Sequence, residues 1–456
     1  MKPLATYRQI YFIGIGGIGM SALARYFHFA GYEVAGYDKV ESALTQALCQ
    51  EGIAVHYEDL NQQIPMPFKD PETTLVVYTP AIKALGELDY FRENQFEIYK
   101  RAEVLGAITR AFKALCVAGT HGKTTTSSML AHLLSDIGEG CTAFLGGIAS
   151  NFESNLVLHA QSPYAVVEAD EFDRSFLQLS PFSAIITAAD PDHLDIYGTP
   201  EAFKEGFRQF ALRIDPNGIC LQKEGLNLAT LCQSKTYALH SQTADYSAEN
   251  LRFENGYQLA DFRIGNQIWL SVSLGLPGSH NVENALGCVA LLIELGFGEQ
   301  EIRAALQRFK GVKRRFEYHV RESDLIYIDD YAHHPQEIEV LLSSVKAMYP
   351  SLPVTGIFQP HLFSRTKDFA TKFAAQLSQL DHLILLPIYP ARELPIPGVT
   401  SDWLCEMSIA PKKEVMQTNE VLAFAKKFKK GVLLTIGAGD IDRLVAPIQQ
   451  YLSDKS

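Results

Sequence analysis

The sequence lacks any apolar run long enough to cross a lipid bilayer. A transmembrane helix needs roughly 18 consecutive apolar residues, and no segment of the 456 residues reaches that length. The stretch Ile10–Ala24, which follows Lys2 and ends in an AxA pattern, has the layout of a secretory signal, but four glycines within Gly14–Gly19 favour a tight loop. We therefore expect a cytoplasmic protein without membrane insertion.

Metal-binding cysteine pairs and an excess of positive charge are also missing. The seven cysteines contain no CxxC pair and form an odd number, so neither a zinc site nor a disulfide framework is predicted, and a reducing compartment fits best. The net charge of -12 argues against broad attraction to nucleic acid or to an anionic membrane. A small anionic ligand held by local dipoles remains compatible with this charge.

Apolar strand patterns alternate with helical patterns along most of the chain. At about 100 to 200 residues for each domain, the length indicates roughly three domains, which we expect to be 1–107, 108–311 and 312–456. Buried strand runs flanked by helical patterns indicate parallel sheets. We predict an α/β fold: a Rossmann-like N-terminal domain, a central P-loop ATPase-like parallel sheet with a small antiparallel meander at about 235–275, and a Rossmann-like C-terminal domain.

The segment VAGTHGKTTTSS, which begins at Val117, has the pattern of a shortened phosphate-binding loop. A loop of the usual length would have glycine at Val117, whereas the first glycine here is Gly119. A strand pattern before the loop and a helical pattern after it would point backbone N–H groups at an anion. Lys123 would then reach terminal phosphates, and Thr124 would offer a hydroxyl to Mg²⁺. The alternative is that Thr120 or Thr124 merely caps the helix.

Acidic residues follow two neighbouring buried strands of the same predicted sheet. Because parallel strands end at one edge, these residues are expected beside the phosphate loop, where hard Mg²⁺ prefers oxygen ligands. The alternative is that they only solvate the strand ends. The two groups are Glu168, Asp170 and Glu171 after AVVEADE, and Asp190, Asp192, His193 and Asp195 after SAIITAAD.

A second glycine loop lies near the start of the chain. Gly14, Gly16 and Gly19 have GxGxxG spacing after a strand pattern, and Asp38 ends the next strand. Taken alone, this pattern indicates NAD. The same geometry binds any diphosphate, so a diphosphate-bearing substrate here, with ATP at the second loop, is an equally coherent interpretation.

Further polar groups stand at helix starts and strand ends. In GSHNVENAL, His280, Asn281 and Asn284 either cap a helix or contact adenine. In GVKRRFEY, Arg314 and Arg315 form either a solvated basic edge or a group that stabilises a transferring phosphoryl.

Two histidine-bearing loops follow later strands. They are IDDYAHHPQEI and FQPHLFSRTKDF, and Arg365 in the second suits a carboxylate clamp. No acidic or cysteine partner of the paired histidines stands at zinc spacing. The polar residues of the two loops are Asp329, Asp330, Tyr331, His333, His334, His361 and Arg365.

Eight segments in this order resemble the Mur ligase family along nearly the whole chain. They are GIGGIGMSALA, AGTHGKTTT, EADEFDRSF, DPDHLDIYG, SHNVENA, VKRRFE, DDYAHHP and FQPHLFSRT. The family's phosphate loop has the short form G-T-x-G-K-[ST]-[ST], which accounts for the position of Gly119.

The resemblance implies a role for each group of residues. Those expected to bind a UDP-sugar are Gly14, Gly16, Gly17, Ile18, Gly19 and Asp38. Those expected to bind ATP are Gly119, Thr120, His121, Gly122, Lys123, Thr124, Thr125, Asn281, Arg315 and Asp330. Thr124, Glu168 and His193 are expected to hold Mg²⁺, and Tyr331, His333, His361 and Arg365 to lie near an amino acid. Lys123, His193 and Arg315 are the expected catalytic residues.

The implied activity is ATP-dependent amide formation in peptidoglycan synthesis. Its substrates would be UDP-N-acetylmuramate and L-alanine, with ATP and Mg²⁺ as cofactors, no nucleic-acid partner, and a monomer or homodimer as the assembly. The first rival is a recycling ligase that adds a ready-made tripeptide, and the absence of an inserted segment after Phe176 favours the single amino acid. An NAD-dependent dehydrogenase would explain Asp38 but would leave Lys123 and Glu168 without a function.

Overall fold

A computed structural model describes residues 2–79, 82, 84–191, 194–254, 257–391 and 393–453. The chain divides into two compact units, and the division falls between Lys310 and Gly311. The described residues form three sheets, two in the first unit and one in the second. In those residues no helix combines the length and the apolar character needed to cross a membrane.

The first sheet is wholly parallel, with strand order β3-β2-β1-β4-β5. Its strands are β1 Gln9–Ile13, β2 Glu33–Tyr37, β3 Ala54–His56, β4 Thr74–Tyr78 and β5 Glu97–Lys100. Its helices are α1 Ile18–Phe29, α2 Ala43–Gln50, α3 Gly86–Glu93 and α4 Arg101–Thr109. In such a sheet ligands bind beyond the carboxyl ends of the strands, where the strand order reverses, and here β1 occupies that position.

The second sheet has ten strands in the order β15-β14-β13-β12-β11-β10-β6-β9-β7-β8. Its strands are β6 Lys113–Ala118, β7 Thr142–Ala149, β8 Ser154–Val157, β9 Tyr164–Ala169, β10 Ser183–Ile186, β11 Ile219–Lys223, β12 Gln233–Leu239, β13 Tyr246–Glu254, β14 Tyr257–Ile264 and β15 Gln267–Leu274. Its helices are α5 Lys123–Asp136, α6 Leu194–Tyr197, α7 Pro200–Ala211, α8 Ser279–Glu294 and α9 Glu299–Arg308.

The predicted antiparallel meander is confirmed in part. Strands β13, β14 and β15 pair antiparallel, but β12 pairs parallel with both β11 and β13. The meander therefore begins at Tyr246 rather than near 235. The prediction was wrong for β12 because alternation of polar and apolar residues reports which face is buried and carries no information about strand direction.

The second unit contains a six-stranded sheet in the order β16-β17-β21-β18-β19-β20, parallel except for the edge pair β16–β17. Its strands are β16 Glu317–Arg321, β17 Leu325–Asp330, β18 Val354–Phe358, β19 His382–Leu385, β20 Lys412–Val415 and β21 Gly431–Ile436. Its helices are α10 Pro335–Met348, α11 Phe363–Asp368, α12 Ala370–Leu377, α13 Ser401–Met407, α14 Thr418–Ala425 and α15 Val445–Ser453. The predicted α/β architecture is thus confirmed.

Helix α1 joins the two sheets of the first unit. It contacts β7 and β8 of the second sheet, and the ring centroids of Tyr26 and Phe144 lie 5.4 Å apart. Asn155 on β8 is fully buried, and its Nδ2 donates to Ile18 O at 2.5 Å and to Ser21 Oγ at 3.1 Å. Its Oδ1 accepts from Arg25 Nη1 at 2.7 Å. One side chain therefore satisfies three polar groups of α1.

We expect Asn155→Ala to lower the free energy of unfolding by about 1 to 3 kcal/mol, because Ile18 O and the Arg25 guanidinium lose a buried partner. Asn217→Ala, which changes an exposed asparagine in a turn, should stay within about 0.5 kcal/mol of the parent. Urea unfolding of both variants measures the difference. Equal stability of the two would show that Asn155 does not hold α1 to the second sheet.

Candidate active site

The loop between β6 and α5 has the geometry of an anion-binding turn. Gly119 and Gly122 have φ angles of +140° and +80°, a region that favours glycine. A Cβ on Gly119 would lie 2.0 Å from Thr187 Oγ1, and one on Gly122 would lie 2.8 Å from Asn284 Oδ1. Helix α5 starts directly after Gly122, so its first backbone N–H groups have no partner within the helix and are available to an anion.

The threonines of this loop do not cap α5. The N-cap is Gly122, without a side-chain capping hydrogen bond. Thr120 Oγ1 instead donates to Asp190 O at 2.9 Å, and Thr124 Oγ1 donates to Glu168 Oε1 at 3.1 Å. The capping interpretation is therefore wrong, because both hydroxyls are used to connect the loop to neighbouring strand ends.

Lys123 and Glu168 lie on the same side of the loop. Lys123 Nζ donates to Gly119 O at 2.7 Å and to Glu171 Oε1 at 2.9 Å. Glu168 Oε2 accepts from Gly146 N at 3.0 Å. Burial raises the pKa of the Glu168 carboxyl, while the charge of Lys123 and the hydrogen bond from Thr124 act in the opposite direction. A bound cation would favour the ionised carboxylate further.

Thr124 and Glu168 offer the donor set that a hard divalent cation prefers, a hydroxyl oxygen beside a carboxylate oxygen. The residues of this group therefore fit Mg²⁺ by their chemistry. His193, the third predicted ligand, and Asp192 lie outside the described residues.

The first glycine loop follows β1 and leads into α1. Gly14 has a φ of +87°, and its N–H donates to Tyr37 O at 2.8 Å. Asp38 Oδ2 accepts from Gly16 N at 2.7 Å. A Cβ on Gly16 would lie 2.9 Å from that carboxylate oxygen. The structure thus brings the predicted loop and Asp38 together, and Asp38 holds the shape of the loop.

A pocket of about 350 Å³ lies between the first glycine loop and the edge of the second sheet. Its wall includes Gly17 and Gly19 from the first loop and Glu168 from the edge of the second sheet. Phe144 and Leu145 give it an apolar side. The pocket therefore touches both the predicted UDP-sugar residues and the predicted metal group.

Arg101 is a functional candidate that the sequence analysis missed. It lines the same pocket, and its Nη2 lies 3.8 Å from Asp170 Oδ2. A Cβ on Gly19 would lie 2.7 Å from Arg101 Nη1, so glycine at that position leaves space for the guanidinium. The available signal was a basic residue directly after the strand ending at Lys100, at the edge where ligands of a parallel sheet bind.

The polar start of α8 packs against the phosphate loop. Its N-cap is Gly278, without a side-chain capping hydrogen bond. Asn281 is 2% exposed, and its Nδ2 donates to Pro277 O at 2.6 Å. Asn284 approaches Gly122 closely. The asparagine beside the phosphate loop is thus Asn284, which is not among the predicted ATP-binding residues. Contact between Asn281 and adenine stays a prediction.

In the second unit, the two arginines of GVKRRFEY have different partners. Arg314 Nε lies 3.1 Å from Asp329 Oδ2, whereas Arg315 Nη1 lies 3.9 Å from Glu337 Oε1. Both guanidinium groups lie over the ring of Tyr331, at 5.3 and 5.1 Å from its centroid. Arg315 therefore has the longer ion-pair distance of the two, and its contact with a phosphate stays a prediction.

Asp330 has both carboxylate oxygens engaged. It accepts hydrogen bonds from Phe316 N at 2.7 Å and from Ala332 N at 2.8 Å. Burial raises the pKa of Asp330 to about 6. These hydrogen bonds hold the loop after β17, and a ribose hydroxyl would have to share these acceptors.

The predicted amino-acid residues form one group in the second unit. The rings of His333 and His361 lie 6.2 Å apart, and Arg365 Nη1 lies 3.4 Å from His361 Nδ1. Tyr389, absent from the predicted set, stacks on His361 at 5.6 Å. Desolvation and the charge of Arg365 lower the pKa of His361 to about 4, and burial lowers the pKa of His333.

Among the residues that the structure describes, the acidic and imidazole groups close enough to share a metal ion are Glu317, His319 and Asp329. Neither His333 nor His361 belongs to that group. Asp329 already has a cationic partner in Arg314.

Three family models match the chain. They are described as Mur ligase family, catalytic domain, at residues 9–113; Mur ligase middle domain, at residues 117–292; and Mur ligase, glutamate ligase domain, at residues 314–439. The chain is 50% identical over 449 residues to the UDP-N-acetylmuramate–L-alanine ligase of Parabacteroides distasonis, covering 97% of each. It is 48% identical over 456 residues to that of Phocaeicola vulgatus, covering 99% of each.

Solved structures are similar over the same length. A UDP-N-acetylmuramate–alanine ligase from Thermotoga maritima matches with a TM-score of 0.82 and 28% identity, over 98% of this chain and 100% of that one. A murein peptide ligase from Psychrobacter arcticus matches with a TM-score of 0.68 and 22% identity, over 97% and 99% of the two chains. At 22% identity, the match to the Psychrobacter arcticus structure shows a similar fold and nothing further.

The lowered pKa of His361 predicts a pH dependence of stability. Between its folded value of about 4 and an unfolded value of about 6.5, the unfolded chain binds more protons. The contribution of His361 to stability is therefore fully present above about pH 6.5 and is lost as the pH falls toward 4. We expect His361→Gln to reduce this slope in denaturant unfolding between pH 7 and 5. His28→Gln, which changes an exposed histidine near the end of α1, is the matched control, and equal slopes for the two variants would contradict the assignment.

Proposed function

The chain belongs to the Mur ligase family, and from that membership we propose that it joins L-alanine to the lactyl carboxylate of UDP-N-acetylmuramic acid. The reaction consumes ATP, gives ADP and phosphate, and supplies a peptidoglycan precursor. The proposal is supported by relatives of that name that are 45 to 50% identical over 97% or more of this chain.

The structural observation that best supports the proposal is the pocket between the first glycine loop and Glu168, the residue that bonds Thr124 of the phosphate loop. An acceptor with a diphosphate at one end and a carboxylate at the other must reach from the first loop to the triphosphate. The pocket beside Gly17, Gly19 and Glu168 offers such a path. Arg101 supplies the pocket with a cation for the anionic acceptor.

The first step activates the carboxylate. The lactyl carboxylate attacks the γ-phosphorus of ATP, ADP leaves, and an acyl phosphate forms. Backbone N–H groups of residues 119–125 bind the triphosphate, while Lys123 and Arg315 stabilise the charge that develops during transfer. In this proposal Thr124, Glu168 and His193 would hold Mg²⁺, which would supply positive charge to offset that of the phosphates.

The second step forms the amide. The amine of L-alanine attacks the acyl carbonyl, and the tetrahedral species collapses to the amide and phosphate. Arg365 clamps the amino-acid carboxylate, and His333, whose Nδ1–H faces Tyr331 O, accepts a hydrogen bond from the amine at Nε2. His361 lies beside Arg365 at the same site. Tyr331 lines this site beside Arg315.

Three domains divide these tasks in the proposal. Residues 1–107 bind the UDP-sugar through Gly14–Gly19 and Asp38, residues 108–311 bind ATP with Asn281 at the adenine, and residues 312–456 bind the amino acid. Asp330 contacts the ribose from the third domain. The dehydrogenase alternative has no support, because the family models match both outer regions of the chain.

The proposal is tested with purified protein, UDP-N-acetylmuramate, ATP and Mg²⁺. We expect phosphate release on addition of L-alanine, with a ligated product of the corresponding mass. Release with the tripeptide L-alanyl-γ-D-glutamyl-meso-diaminopimelate and none with L-alanine would instead identify the recycling reaction. Absence of release with either L-alanine or the tripeptide would contradict the proposed function.

Lys123→Ala should lower kcat by at least about 100-fold, because one preorganised donor to the transferring phosphoryl is lost. Lys429→Ala, which removes an exposed lysine of the second unit, should leave kcat unchanged. Thermal unfolding checks the fold, and Lys123→Ala combined with Glu171→Gln removes both members of the buried ion pair together. Near-normal turnover in a folded Lys123→Ala variant would refute the role of Lys123.

A further inference from the structure

Lys123 forms a buried ion pair with a carboxylate that the mechanism does not use. Glu171 is 1% exposed, and its two carboxylate oxygens lie 2.9 and 2.8 Å from Lys123 Nζ. Glu168, the predicted metal ligand, instead bonds Thr124 and Gly146 N. The two acidic side chains at the end of β9 are therefore engaged with different groups.

The donors of the Lys123 ammonium are largely taken. An ammonium group has three N–H donors. One is directed to Gly119 O at 2.7 Å, one to Glu171, and the remaining contact is Thr120 O at 3.5 Å. A phosphate oxygen that bonds this ammonium must therefore replace or weaken one of these contacts.

Glu171 is held firmly in place by its backbone. Its carbonyl oxygen accepts a hydrogen bond from Tyr197 Oη at 2.7 Å, and Asp170 O accepts one from Phe176 N at 2.9 Å. Asp173 and Arg174, which follow it, have φ angles of +51° and +56°. Such conformations persist where surrounding contacts enforce them. The carboxylate therefore cannot follow Lys123 toward a phosphate by a movement of the chain.

We propose that Glu171 is a positioning residue that competes with the nucleotide phosphates for the Lys123 ammonium. Nucleotide binding then exchanges one anionic partner of Lys123 for another. This exchange weakens the binding of ATP and of ADP alike, and it speeds the departure of ADP after phosphoryl transfer. The inference rests on the proposed function, since it takes ATP as the nucleotide.

The test is Glu171→Gln, which keeps the size of the side chain and removes its charge. We expect ADP and a non-hydrolysable ATP analogue, each with Mg²⁺, to bind about tenfold more tightly, because a unit negative charge beside the phosphates is gone. The KM for ATP should fall by a similar factor, while the KM for L-alanine stays unchanged. Calorimetric titration measures the nucleotide dissociation constants directly. Unchanged or weaker nucleotide binding in the folded variant would overturn the proposal.

Two further variants separate competition from a merely structural role. Asp173→Asn removes one charge two residues away, at a left-handed position that asparagine tolerates, and should leave nucleotide affinity unchanged. Glu171→Asp retracts the carboxylate by one methylene and should tighten nucleotide binding about two- to threefold. If Glu171→Gln does not fold, Glu171→Asp decides the question, and affinity equal to or below that of the parent overturns the proposal.

Nucleotide binding is measured without the other two substrates. A failed ligation assay would therefore contradict the proposed function while the affinity of the variants for ADP still tests the competition. An intact ligation reaction with unchanged ADP affinity would contradict the competition alone.

Discussion

The parallel pairing of β6 between β9 and β10 is the constraint on which the candidate site depends. In this register Val117 lies opposite Glu168, and Ile185 lies beside Val117. Main-chain hydrogen bonds thus set the phosphate loop and the acidic strand end at one edge. The glycines of the loop are then required, because Thr187 and Asn284 crowd it from two sides. The chemistry of the site follows from strand order.

Buried acidic and basic side chains lie together at this edge of the second sheet. Lys123 is paired with Glu171, while Glu168 accepts hydrogen bonds from Thr124 Oγ1 and Gly146 N and is close enough to be affected by the charge of Lys123. Buried ion pairs contribute little net stability, because the loss of hydration offsets the attraction between the charges. An interaction with a bound polyanion would explain why these buried charges are present at this edge. Asp330 differs, since its buried carboxylate is satisfied by backbone N–H groups.

Sequence patterns predicted the α/β fold and the close approach of the phosphate loop to Glu168. Buried strand runs indicate parallel strands, and parallel strands bring the glycines and acidic residues at their ends to one edge of the sheet. These patterns could not predict the direction of β12, since period-two burial is identical in parallel and antiparallel strands. Arg101 was missed because a single arginine at a helix start has no distinguishing spacing. The hydrogen bond from Gly16 N to Asp38 could not be predicted from the sequence either, because it depends on the conformation of the turn that follows β2.

The hydrogen bonds between Asn155 and α1 fix a distance within the first unit. The first glycine loop precedes α1, and Asn155 ties that helix to the sheet that carries Glu168. The distance between the first glycine loop and Glu168 is therefore fixed when the protein folds. Under the proposed function, an acceptor whose carboxylate lies too near its diphosphate, or too far from it, would be out of register with the γ-phosphate. Substrate length would then be selected independently of the chemical groups at either end.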